Sequence, residues 1–170
     1  SVLYDNMVVS QDTTPEPEPE PVATDLFVSE YGEGPSGTAS WGKYLEIANF
    51  TGADVSLDGY LLGGIQNGGD AYEKFVSFTA GTTLANGEVW VIGRAEDGDG
   101  SPESLWGQID QVTGQDAISH NGDDAWHLLS GTSDSYTLVD AAIGDAGDDP
   151  GSYFTICGDG ETRNSSWVKK

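Results

Sequence analysis

The sequence contains a single cysteine, Cys157, among 170 residues, so no disulfide can form within the chain. Its stability must therefore come from packing. Basic residues are also scarce, because 6 Lys and Arg stand against 29 Asp and Glu and give a formal net charge of -23. Such a field repels polyphosphates, which makes nucleic acid a poor direct ligand. No apolar run reaches the roughly 18 residues that a membrane-spanning helix needs.

The chain also lacks the short motifs that usually carry catalysis. No GxSxG, HExxH, P-loop or CxxC pattern occurs in it. His120 and His127 flank an Asn-Gly-Asp-Asp turn, so one interpretation is a metal site of imidazole and carboxylate ligands. The favoured interpretation places His127 within a strand, and has Asp123 and Asp124 capping the turn by accepting bonds from backbone amides. The sequence therefore predicts a protein that is not an enzyme.

Short apolar segments separated by turn residues recur from Asp25 onward, and 24 glycines punctuate the chain. Seven segments have this character: 26–30, 44–49, 60–65, 75–78, 88–92, 125–129 and 136–142. Strands at this spacing, with few helix signals, predict an all-β sandwich. A short helix is expected only around residues 104–111. Asn67-Gly68 and Asn86-Gly87 are predicted to form tight turns, because Asn and Gly tolerate positive φ.

The first 24 residues differ from the rest in composition. Residues 1–14 form a β-like segment whose candidate assembly contacts are Leu3, Tyr4, Met7, Val8 and Val9. Residues 15–24 form a Pro-Glu linker, and alternating proline and glutamate favours polyproline II. At about 3.1 Å per residue, its Pro-Glu stretch 15–21 is a semi-rigid spacer of roughly 20 Å. The predicted division is therefore 1–14, 15–24 and a sandwich over 25–170.

An isolated strand exposes backbone donors and acceptors that need partners. One alternative is that residues 3–10 close a preceding domain, because they resemble the last strand of laminin-G-like or carbohydrate-binding jelly rolls. The other alternative is that the segment inserts into a neighbouring subunit, with the spacer setting its reach. Repeated head to tail, that contact would give a filament. The sequence leaves both open.

The stretch KYLEIANFTGADVSLDGYLL, from Lys43 to Leu62, resembles the lamin-tail domain of bacterial, extracellular type. Further segments similar to the family follow its order: Leu26–Tyr31, Leu84–Ile92, Asn121–Ala125 and the closing Glu161–Ser166. The resemblance runs from about Asp25 to Val168. It implies an immunoglobulin-like β-sandwich without catalytic activity. Bacterial members accompany secreted or surface-bound nucleases, phosphatases and adhesin-like proteins, so an extracellular or cell-surface location is expected.

Two further sets of residues are candidate binding groups. Asp97, Asp99, Ser101 and Glu103 lie in a glycine-rich loop that partly resembles a calcium loop, and the alternative is a solvated acidic loop. The acidic group at 145, 148 and 149 admits the same two interpretations. Trp41, Trp106 and Trp167 lie near loops or the terminus and are candidate exposed contacts for a glycan. Trp90 and Trp126 lie in strand-like segments and are expected in the core.

Three functions follow from these patterns. The leading hypothesis is a non-catalytic extracellular structural or interaction module that self-assembles through its N-terminal strand, with copies of itself or neighbouring domains as partners. The alternative is an accessory module that targets a secreted hydrolase, such as a nuclease or phosphatase, to a surface or glycan. A small metal hydrolase using His120 and His127 is the third. Membrane insertion is not expected. Ca²⁺ is the one cofactor that the sequence suggests.

Overall fold

The computed structural model describes residues 22–34, 42–94, 107–114, 117–156, 158 and 160–169. Its strands are β1 (Phe27–Gly32), β2 (Tyr44–Ala48), β3 (Val55–Ser56), β4 (Tyr60–Ile65), β5 (Lys74–Ser77), β6 (Thr83–Leu84), β7 (Val89–Gly93), β8 (Gln111–Val112), β9 (Ala125–Thr132), β10 (Ser135–Ile143), β11 (Thr155–Ile156), β12 (Gly160–Glu161) and β13 (Ser166–Val168). One 3-10 turn, Leu57–Gly59, precedes β4. All seven predicted segments coincide with strands, so the all-β prediction is confirmed.

The helix expected around residues 104–111 does not form in the part of it that the structure describes. Residues 107–110 make a turn, and β8 begins at Gln111. Tertiary pairing explains the difference, because β8 extends a sheet beside β7. Within the described ranges, no helix is long and apolar enough to span a bilayer.

Two sheets form the sandwich. One has five strands in the order β13-β1-β2-β7-β8, and the other has four in the order β10-β9-β4-β5. Neighbouring strands are antiparallel, except that β7 and β8 are parallel. β1 of the first sheet packs opposite β10 of the second. Two short antiparallel pairs, β3 with β6 and β11 with β12, accompany these sheets.

The core lies between the sheets because each strand alternates its side chains across the pleat. In β2, Leu45 and Ile47 are buried while Glu46 between them points to the other face. Trp126 and Leu128 of β9 contribute from the opposite sheet and are at most 1% exposed. Trp126 is thus a core residue, as predicted, and the half-buried Trp90 packs against the same cluster.

The outer face of the four-stranded sheet also buries apolar side chains. Leu61 and Leu129 face each other across β4 and β9 on this side, and both are buried. Gly63 lies beside them, where an added Cβ would come within 2.6 Å of the Tyr72 ring. Because position 63 has no side chain, the Tyr72 ring can lie flat across the strand. This second apolar layer is what positions the aromatic surface described below.

The predicted turns form at their glycines. Asn67 and Gly68 have φ values of 47° and 68°, and Gly87 has a φ of 86°. Residues 1–14 and the linker as far as 21 lie outside the described residues, and with them Leu3, Tyr4, Met7, Val8 and Val9. The division of the chain into three parts therefore stays a prediction. The described chain starts at Val22, and Ala23 N donates to Phe50 O at 2.9 Å.

Candidate functional site

An apolar groove opens between the two sheets on the side where β13 and β10 are the edge strands. Its volume is about 660 Å³, within the range of roughly 300–1,000 Å³ typical of ligand pockets. Val28 and Tyr31 of β1, Ile143 of β10, Ile156 of β11 and Trp167 of β13 line it. We call it the inter-sheet groove. Edge strands carry backbone groups that no neighbouring strand satisfies, so the groove adjoins ready-made hydrogen-bonding partners.

Trp167 forms part of one wall of this groove. Its indole Nε1 donates to Glu161 O at 2.7 Å, and its ring is partly buried against the core. The ring lies so close to Gly160 that an added Cβ there would approach it to 2.2 Å. Trp167 was expected to be an exposed contact, and the structure instead holds it partly buried because the β12 turn fixes the indole. Trp41 and Trp106 lie outside the described residues.

Asp140 of β10 connects the two sheets beside the groove. Its Oδ2 accepts a hydrogen bond from Val28 N at 2.9 Å, and its Oδ1 accepts one from Lys169 Nζ at 2.5 Å. Register shifts on either side of it, between Leu138 and Asp140 and between Ala141 and Ile143, mark irregular pairing with β9. Bulges and charged groups are common devices that protect a sheet edge. The second half of β10 is therefore already held by the bonds of Asp140 to Val28 and Lys169.

A second exposed surface lies on the outer face of the four-stranded sheet. Tyr72, Phe75 and Tyr136 pack there with ring centroids 5.1 to 5.8 Å apart. Tyr136 and Leu138 are 43% and 51% exposed. We call these four residues the outer aromatic patch. Aromatic faces stack on apolar or sugar surfaces while a tyrosine hydroxyl remains available for hydrogen bonding.

His127 lies beneath the outer aromatic patch. Its Nε2 is 2.8 Å from Gly144 O, and its Nδ1 is 2.6 Å from the Tyr72 hydroxyl. Since a carbonyl oxygen only accepts, Nε2 carries the proton and Nδ1 accepts from Tyr72. Burial, aided by Tyr136 and Asp145, raises the pKa of Tyr72. The two ring nitrogens of His127 thus link the outer aromatic patch, through Tyr72, to the loop that begins at Gly144 after β10.

His120 is fully buried in a separate environment. Its Nε2 donates to Gly32 O at 2.6 Å, and its ring centroid is 4.3 Å from that of Tyr31. Burial lowers the pKa of His120 to about 3, and the cations of Lys43 and Arg94 act in the same direction. Lys43 Nζ also donates to His120 O and lies 3.3 Å from Glu33 Oε1. The site keeps this imidazole neutral.

The carboxylates near the histidines act on backbone amides. Asp124 Oδ1 accepts a hydrogen bond from Asn67 N at 3.0 Å, so it caps a turn in a distant part of the chain, whereas the sequence predicted that it would cap its own turn. Burial raises the pKa of Asp124. Across the described ranges, no group of three or more His, Cys, Asp and Glu residues could hold a metal ion. Asp97, Asp99, Ser101 and Glu103 lie outside those ranges, so calcium binding there stays a prediction.

The family model of the lamin tail domain matches residues 19–147. The chain belongs to the lamin tail domain family. This family has an immunoglobulin-like fold and is non-catalytic, which identifies the sandwich as an interaction module. No curated protein matches the chain. The match ends after β10, but β13 pairs with β1, so the last strand is structurally part of the same lamin tail domain.

The sequence singled out tryptophans and missed the residues of the outer aromatic patch. Phe75 and Tyr136 each lie in a segment that the sequence predicts to be a strand, but that prediction does not say which face of the sheet they occupy. The alternation of Tyr136 and Leu138 was the available signal, because residues two apart in a strand share a face. Tyr72 lies in a loop, and no local pattern indicates that its ring crosses Gly63.

Proposed function

We propose that this lamin tail domain is an extracellular structural module that self-assembles, the N-terminal segment of one copy pairing with a sheet edge of the next. The observation that carries the proposal is the apolar groove of about 660 Å³ flanked by two edge strands. The chain itself supplies an apolar strand-like segment, residues 3–9, ahead of a stiff spacer. Backbone pairing at a free edge gives affinity, and pockets for alternate side chains give specificity.

The contact would be heterologous, because a terminal segment of one copy meets a sheet edge of another. Such contacts propagate into filaments unless the rotation closes a ring. The formal charge of -23 per chain opposes close approach of copies. Salt screens exposed charges over a Debye length of about 10 Å at 0.1 M, so assembly should strengthen as ionic strength rises. The extracellular setting rests on the secreted proteins that bacterial lamin tail domains accompany.

The test compares the full chain with a variant lacking residues 1–14, by light scattering after size exclusion and by electron microscopy, at low and high salt. The full chain should form polymers that grow with salt, and the shortened chain should stay monomeric. The shortened chain retains every residue of the described sandwich. A control replaces Leu3, Met7 and Val9 by serine, which keeps the length and removes the apolar side chains. Equal assembly of full and shortened chains would overturn the proposal.

A second candidate function is supported by the outer aromatic patch. We propose as the alternative that this face attaches a secreted hydrolase to a neutral glycan, because stacked rings suit sugar faces and the acidic chain repels acidic polymers. Tyr136→Ala should abolish binding to soluble neutral glycans in titration calorimetry. Phe50→Ala is the matched control, since Phe50 is 47% exposed in the loop after β2, where its ring lies against Phe27 of the five-stranded sheet. Equal binding by wild type and Tyr136→Ala would remove this candidate.

A further inference from the structure

We propose that the inter-sheet groove is the acceptor site for residues 3–9 of a second copy, with Met7 and Val9 inserted and the backbone paired to the free edge of β13. This inference rests on the proposed self-assembly and adds where the incoming segment binds.

The groove has the length of a short strand. It follows β1 from Val28 to Tyr31, which are four consecutive residues. At about 3.3 Å per residue that stretch is roughly 13 Å long, and a strand of this length places two side chains on one face. In the N-terminal segment, Met7 and Val9 are two residues apart and both apolar. They match the apolar lining formed by Val28 and Trp167.

Among the described strands β13 pairs on one side only, with β1, and its other edge supplies the backbone partners. Lys169 N donates to Ser29 O at 2.8 Å, and Ser165 O accepts from Glu33 N at 2.9 Å, so these residues face β1. Alternate residues of an antiparallel strand direct their backbone groups to opposite sides. The N–H groups of Ser166 and Val168 therefore point away from β1, toward the sheet edge. The second half of β10 is less suitable, because its bulges and Asp140 already engage that side.

The spacer favours a second copy over the chain's own groove. Residues 10–21 lie between the segment and the start of the described sandwich, and the Pro-Glu alternation of 15–21 predicts a polyproline II stretch about 20 Å long. Only five residues, 10–14, remain to turn the chain back, and they reach at most about 17 Å. Because the spacer is longer than the stretch that would have to return, residues 3–9 should reach the inter-sheet groove of a neighbouring molecule more readily than that of their own.

The first experiment removes one edge donor. Val168→Pro eliminates the N–H that faces the free edge while leaving the bonds to β1 intact, and proline is tolerated on edge strands. Val168→Thr is the matched control, because it keeps the N–H and a β-branched side chain. Light scattering should show polymers for wild type and Val168→Thr and only monomers for Val168→Pro. Unfolding midpoints of the three proteins establish that each is folded.

The second experiment tests complementation. Val168→Pro retains the donor segment, and the variant lacking residues 1–14 retains the acceptor groove. Mixed together, the two non-assembling chains should give a one-to-one complex, because one donor and one acceptor remain. If deletion abolishes polymers and Val168→Pro does not, self-assembly stands and the groove is not the acceptor. If deletion has no effect, self-assembly itself fails. If the full chain stays monomeric and Val168→Pro releases residues 3–9 from the groove of the same molecule, the donor is not a second copy and the proposal is overturned.

Discussion

Stability of this domain should fall in mild acid because His120 is held neutral. In the folded state its pKa is lowered to about 3, by burial first and by Lys43 and Arg94 in addition. In the unfolded chain an ordinary histidine has a pKa of about 6.5. Between these two values the unfolded state binds a proton that the folded state does not. Stability therefore decreases as pH falls through 6.5 and continues to decrease toward 3.

The magnitude follows from the linkage between proton binding and unfolding. Each pH unit below the unfolded pKa costs about 1.4 kcal/mol. Between pH 7.5 and pH 4.5 the contribution of His120 is a loss of about 3 kcal/mol. This window ends well above the folded pKa, so the loss depends on the unfolded value alone. It is a large part of the roughly 5–15 kcal/mol that stabilises an ordinary domain.

The assay is urea unfolding at several pH values, for the wild type and for His120→Gln. Glutamine keeps an N–H that can donate to Gly32 O, and it does not titrate. The many carboxylates of the chain also contribute to the pH dependence, but they are common to both proteins and cancel in the difference. The wild type should lose about 3 kcal/mol more than the variant between pH 7.5 and pH 4.5.

Parallel curves for the two proteins would refute this reasoning. That result would mean that His120 takes up a proton in the folded state at an ordinary pKa, which requires water or an anion to reach it. A steeper loss for the variant would refute it more strongly, because it would mean that the folded state binds the His120 proton more tightly than the unfolded chain does. An unchanged slope of free energy against urea concentration is needed for the comparison, because a change would indicate an altered folded or unfolded state.

Two further predictions concern stability. Lys43→Met leaves the buried Glu33 carboxylate without its ion pair and should lower the free energy of unfolding by about 3–5 kcal/mol. Lys169→Met removes a partly exposed ion pair and should lower it by less than about 1 kcal/mol. Urea unfolding measures both. Gly131→Ala should cost more than about 1 kcal/mol in thermal unfolding, because Gly131 has a φ of 123° and an added Cβ would lie 2.2 Å from a carbonyl oxygen. Gly59→Ala, where the space is open, should leave the midpoint nearly unchanged.

The strands could be predicted from the sequence because local pattern and tertiary burial agree in them. Leu45 and Ile47 alternate with Glu46, and this period of two is the pattern of a strand with one buried face. The Asn-Gly turns were predictable for the same reason, since their conformation is a local property. The immunoglobulin-like type of sandwich came with the family resemblance, whereas the spacing of the segments indicated only a sandwich and neither gave the order of the strands.

The remaining features depend on contacts between distant parts of the chain. β13 is three residues long and pairs with β1 across more than a hundred residues of sequence. The position of Trp167 follows from the backbone carbonyl of Glu161, which no spacing rule identifies. The lowered pKa of His120 likewise comes first from its burial among distant strands, and the cation of Lys43 adds to it. Local patterns therefore predict the strands, whereas the surroundings of Trp167 and His120 depend on how distant strands pack together.

The two edge strands that flank the inter-sheet groove, β10 and β13, differ in how they are protected, and the difference bears on the proposed function. β10 has bulges, an inward Asp140 and an ion pair to Lys169, which are features that discourage pairing with another chain. β13 is short, but Val168 on it is 61% exposed, and an apolar groove lies alongside. A domain that only needed to stay monomeric would gain from a charge at this position. Beside the groove, β10 is the protected edge and β13 the exposed one, which is the arrangement that the proposed pairing of a strand with β13 requires.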